Sequence, residues 1–132
     1  RQYTNPVRGC NPSRPVPVIA FHGTADPIVP YAGGAAGPGG FVFPAVPDWA
    51  AAWAQRNGCD VTSTALPASG EVSGVQYTNC NENADVIFYT VAGGGHSWPG
   101  GGKLPRAIVG HMTEDIDASA VMWKFFAQHP LK

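Results

Sequence analysis

The sequence predicts an α/β fold with parallel strands. Two observations lead there. Residues 16–22 and 86–91 are apolar runs without polar alternation, the pattern of strands covered on both faces. Each run passes into a glycine-rich loop, and a helical pattern follows each loop.

The elements follow in order. Residues 1–15, with Pro6, Pro12 and Pro15, read as loop, and a strand at 16–22 ends at Gly23. Residues 24–47 hold Pro27, Pro30, Pro38, Pro44 and Pro47 and read as one long loop, a length that in compact domains usually carries function. Pro47 suits the first position of a helix at 48–57, with Asp48 in its electropositive first turn. Trp49 and Trp53, four apart, mark its expected buried face, and Gly58 is its stop. A small hairpin at 61–78 turns about residues 67–70, and a second buried strand fills 86–91. The last helix is expected at 116–128, capped by Thr113 or Asp115. Ile116, Ala120, Trp123 and Ala127 fall on one face, and Val121, Met122, Phe125 and Phe126 widen it. Such a helix is expected to be covered on most sides.

Composition bounds the class. The 132 residues suit one domain. With 17 glycines and 13 prolines the chain approaches low-complexity composition, but 44% hydrophobic and only 13% charged residues exclude disorder. The net charge of −1 comes from scattered residues with no basic stripe, which argues against nucleic acid. No apolar run approaches the roughly 20 residues of a membrane span. Arg1 in place of a starting Met, with no apolar leader after it, reads as a processed or cut N-terminus.

Cys10, Cys59 and Cys80 are free thiols in a reducing compartment, or one bridge and one orphan in a secreted protein. The spacing of Cys59 and Cys80 suits a bridge across the hairpin. Cys10 would then pair with a cysteine in polypeptide not present in this chain.

The chemistry gathers at the two strand ends. Asp26 follows the first strand in His22-Gly23-Thr24-Ala25-Asp26, and His96 follows the second in Gly93-Gly94-Gly95-His96-Ser97-Trp98-Pro99-Gly100. Ligands of open α/β sheets sit at the carboxyl ends of strands. A hydrolase needs this pair, because an imidazole takes the nucleophile's proton while a carboxylate fixes its tautomer. Each residue also has a plainer use, Asp26 in an Asx-turn and His96 as a loop histidine bonded to a carbonyl. His22 is expected to hydrogen-bond the strand end, and His111 and His129 to lie on the surface. Trp98 and Tyr31 are candidates to hold an aromatic acyl group or a sugar. The spacing of His22, Asp26, His96 and His111 matches no zinc signature, so neither metal nor cofactor is expected. The stretch GPGG at 37–40 lacks the lysine and helix start of a phosphate loop.

Four segments carry a resemblance. They are His22-Gly23-Thr24-Ala25-Asp26-Pro27-Ile28-Val29-Pro30-Tyr31; Trp53 with Asn57-Gly58-Cys59; Gly94-Gly95-His96-Ser97-Trp98-Pro99-Gly100; and Asp115-Ile116-Asp117-Ala118 with Trp123, Phe125 and Phe126. Together they resemble the C-terminal half of the polyhydroxybutyrate depolymerase/feruloyl esterase family of secreted α/β-hydrolases. The resemblance implies that residues 1–132 form the C-terminal portion of one α/β-hydrolase domain. It implies Asp26 as triad acid, His96 as general base, a Cys59–Cys80 disulfide and an extracellular location. The family's nucleophile sits in a Gly-x-Ser-x-Gly elbow, and none of the six serines here has glycines at both −2 and +2. The nucleophile-bearing half is therefore expected elsewhere, and it or a second chain should cover an open edge of the strand at 16–22. Rival readings are a non-catalytic carbohydrate- or polymer-binding module, and another α/β-hydrolase branch such as a dienelactone hydrolase or a peptidase.

Overall fold

A computed structural model describes residues 12–36, 39–102 and 104–130. Cys10 lies outside them. A four-stranded mixed sheet forms the centre, in the order β1 (Val18–Gly23), β6 (Val86–Val91), β5 (Val72–Tyr77), β4 (Thr64–Ser69). β1 and β6 run parallel, paired from Val18↔Val86 to Gly23↔Val91. Their carboxyl ends are therefore level, and the loops that leave them start side by side.

The hairpin is part of this sheet. β5 pairs antiparallel with β6 along its whole length, and β4 with β5. The turn also differs from expectation. The chain stays extended through Pro67 to Ser69 and reverses at Gly70, where φ is +54°. Proline is tolerated there because β4 is an edge strand whose ladder is irregular between Leu66 and Ser69. At the opposite edge, β1 has no strand of described residues on its outer side.

The long loop after β1 holds a short antiparallel ribbon, β2 (Gly34–Ala36) with β3 (Phe41–Phe43), which its proline content concealed. Helix α1 (Val46–Arg56) follows, with Pro47 and Asp48 in its first turn as expected. Its buried residues are Ala50 and Ala54. Two small side chains four apart let the helix lie close to β1 and β6, while Trp49 and Trp53 stand half-buried, edge to face, at 6.2 Å.

Asn57 ends α1 and is fully buried. Its amide donates to the carbonyls of Val16 and Ala84, both at 2.7 Å, and its oxygen accepts from Val16 N at 3.2 Å. One side chain thus ties the helix end to the entries of β1 and β6. Beside it, Cys59 and Cys80 form a disulfide.

After β6 come a single helical turn, α2 (Arg106–Val109), and α3 (Ala118–Gln128). The cap of α3 is Asp117, whose carboxylate accepts from Ala120 N at 2.9 Å. Asp115 instead pins the hairpin tip, accepting from Glu71 N at 2.7 Å. The expected coverage of α3 does not hold. Only Ala118 and Phe125 are buried, whereas Trp123 is 78% and Phe126 45% exposed. The apolar residues do circle the helix, but α3 lies against β1 on one side alone. No helix of the described residues is long and apolar enough to cross a membrane.

Candidate active site

The turns after β1 and β6 interlock. Thr24 N donates to Val91 O and Ala25 N to Gly94 O, each at 2.9 Å, while Gly93 N donates to the Thr24 hydroxyl at 2.8 Å. A Cβ on Gly23 would collide with the Gly94 carbonyl oxygen, so only glycine lets the two turns cross. The crossing brings Asp26 and His96 together across 70 residues of sequence.

Asp26 is held from both sides. One carboxylate oxygen, Oδ1, accepts from Ile28 N at 2.7 Å and Val29 N at 2.8 Å. The other, Oδ2, accepts from His96 Nδ1 at 2.8 Å. The Asx-turn and the acid–imidazole contact therefore coexist in one side chain. Burial, with only 3% of the side chain exposed, works to raise the pKa of Asp26. The Val29 and Ile28 amides and the His96 ring outweigh it and hold the carboxyl below its ordinary value. Asp26 is therefore ionised at neutral pH and can only accept, so Nδ1 of His96 carries the proton.

Nε2 of a neutral His96 is then an unprotonated base. Its ring is 46% exposed, and no described residue engages that nitrogen. Backbone contacts fix the loop beneath it. Gly95 N donates to His111 O at 2.7 Å and His96 N to Val109 O at 2.5 Å. This acid–imidazole pair can take up a proton and return it.

Both side chains border a cleft of about 270 Å³, lined also by Phe21, Trp98, Leu104, His111 and Thr113. Trp98 stands in its wall, 44% exposed, with its indole N–H donating to Ser119 Oγ at 2.9 Å and its ring edge-on to Phe21. The structure does not bring Tyr31 there. Its hydroxyl bonds Thr90 Oγ1 at 2.9 Å and its ring stacks on Phe88, on the sheet face opposite Phe21. Ser97 Oγ donates to the His111 carbonyl at 3.1 Å, and no described serine is hydrogen-bonded to His96.

Two histidines differ from expectation, and a third, His111, gains a partner. His22 bonds the acid loop, not the strand end, with Nε2 at 2.9 Å from Val29 O. His111 lines the cleft and pairs with Glu71 Oε2 at 2.7 Å, a contact between the hairpin tip and the loop beneath His96 that no local sequence signal announces. The His129 side chain is only 6% exposed, its ring against Phe125 and Nδ1 at 2.7 Å from the Phe125 carbonyl. Among the described residues no group of three His, Cys, Asp or Glu side chains is placed to hold a metal ion.

No family model matches the chain. It is 28% identical over 136 positions to the "Putative esterase NocK" of Nocardia uniformis subsp. tsuyamanensis, an alignment covering 89% of this chain and 39% of that protein. It is 33% identical over 102 positions to "Feruloyl esterase B" of Piromyces equi, covering 72% of this chain and 18% of that protein. The chain therefore spans about two fifths of the first relative and under a fifth of the second.

Proposed function

We propose that this chain supplies the acid and the general base of a carboxylic ester hydrolase of the Ser-His-Asp type. The observation that carries the reading is the contact between ionised Asp26 and His96 Nδ1, which leaves Nε2 free to act. The two esterase relatives point the same way. Nε2 takes the proton of a serine hydroxyl as that oxygen attacks the acyl carbon, then returns it to the departing alkoxide. Water repeats the sequence to release the acid. Asp26 keeps Nδ1 protonated throughout and stabilises the imidazolium.

The serine and the oxyanion donors belong to polypeptide outside this chain, since both relatives are much longer than the part they share with it. The edge of β1 that no described strand pairs, and the side of α3 that exposes Trp123 and Phe126 among the described residues, suit coverage by that polypeptide. The substrates we propose are polyester, feruloyl or acetylated polysaccharide esters, with Trp98, which lines the cleft, packing beside the acyl or alcohol group. The disulfide favours an extracellular setting.

Ester hydrolysis by the full-length enzyme, with and without His96→Ala, tests the reading. Loss of the acyl-enzyme burst and of turnover is expected. Turnover near the wild-type level in H96A would overturn it, and polysaccharide binding by this chain without any hydrolysis would favour a binding module built on Trp98.

A further inference from the structure

The geometry points to His22 as a positioning residue that holds the acid of the pair in place. The inference rests on the hydrolase reading for its kinetic consequence but not for its structural one. Asp26 Oδ1 accepts from Val29 N, and the carbonyl of the same Val29 accepts from His22 Nε2 at 2.9 Å. Nε2 also lies 3.4 Å from Asp26 Oδ2, the oxygen that His96 uses. A carbonyl has no hydrogen to give, so Nε2 of His22 must carry a proton. That N–H is given to the Val29 carbonyl, with the acid's Oδ2 beside it. The carboxylate thus has three hydrogen-bond donors, two backbone amides on Oδ1 and His96 on Oδ2, with the His22 ring packed close behind Oδ2.

The His22 ring is itself braced. It stands at the carboxyl end of β1, its side chain is only 15% exposed, and it packs against Tyr31 at 6.0 Å. Tyr31 is fixed in turn by Thr90 of β6. A chain of contacts therefore runs from the sheet through Thr90, Tyr31 and His22 to Asp26. This gives Tyr31 a use that its distance from the cleft otherwise denies it. Without the His22 donor the Val29 carbonyl loses its side-chain partner, segment 26–29 is held less firmly, and Oδ2 can shift away from His96.

Two variants separate positioning from packing. His22→Phe keeps the ring's bulk against Tyr31 and removes the donor. His22→Gln returns an N–H at the same reach. In the full-length enzyme, His22→Phe is expected to lower kcat about a hundredfold with KM little changed, the scale of a misplaced catalytic group. His22→Gln should recover at least tenfold of that loss. In the same full-length protein, the low-field proton resonance of His96 Nδ1–H should appear in wild type and in H22Q and broaden away in H22F. A sharp resonance in H22F, or a kcat equal to wild type, would overturn the inference. If the enzyme proves not to be an esterase, the resonance still reports whether His22 holds Asp26.

Discussion

Replacing Asp26 by Asn gives a sharp test, because the structure dictates how the amide must sit. Ile28 N and Val29 N both point at Oδ1, at 2.7 and 2.8 Å. An amide NH₂ there would face two N–H donors, so the amide oxygen must occupy that position. The NH₂ then faces His96 Nδ1, which has to become an acceptor, and the ring proton moves to Nε2. A histidine protonated at Nε2 cannot take a proton from serine. The same exchange in another Ser-His-Asp hydrolase costs about 10⁴ in kcat with the geometry intact. At about 1.36 kcal/mol per tenfold, that is roughly 5 kcal/mol of barrier. Steady-state kinetics of full-length D26N, with ¹⁵N NMR of the His96 ring in this chain, reads both halves of the argument. A kcat within about tenfold of wild type, or a ring still protonated on Nδ1, would refute it.

Four further outcomes follow from the same contacts. Removing the Cys59–Cys80 bridge as C59S/C80S should cost about 3 kcal/mol, since it spans 21 residues, and lower Tm by roughly 10 °C in a calorimetric scan. Asn57→Ala orphans the backbone groups of Val16 and Ala84 and should cost about 3 kcal/mol in urea unfolding, whereas a loss below about 1 kcal/mol would show that water replaces it. Asp26 titrates lower folded than unfolded, so its contribution is full above about pH 4 and fades as pH falls through the folded value. The stability gap between wild type and D26N in urea melts should therefore stay level from about pH 6 down to about pH 4 and narrow below that. Trp123→Glu should leave this chain's stability within about 0.5 kcal/mol yet weaken the full-length enzyme, and equal melting shifts in both would contradict coverage of that face.

The parallel pair β1–β6 was legible because unalternating apolar runs have few other uses, and the two loops after them located Asp26 and His96. What failed was legibility of partners. The pattern of β4 and β5 announces a hairpin but not that β5 zips onto β6. Nor does it show that Pro67 stays in a strand, which depends on β4 being an edge. On α1, tryptophans four apart drew the eye, yet alanines four apart meet the sheet, since close approach favours small side chains. On α3 an apolar circumference read as full burial, but composition cannot say how many neighbours an element finds. His22 and His129 were misplaced, although the carbonyls they bond, those of Val29 and Phe125, lie only seven and four residues away. Which nearby carbonyl a ring meets depends on how the loop or helix end folds, while the carboxylate partner of His111, Glu71, lies 40 residues away and leaves no mark in its neighbourhood.

The crossing of Gly23 over Gly94 bears on how this cleft can diversify. Asp26 lies three residues beyond one glycine and His96 two beyond the other, so both are indexed from a single fixed point. Insertions after Val29 or after Trp98 lengthen the rim downstream of that point and leave the spacing of acid and base untouched. Neither glycine can drift alone, because a side chain at position 23 needs the carbonyl at 94 to move. Selection is thus free to reshape what enters the cleft by trading loops, while the proton-handling pair stays locked to the sheet.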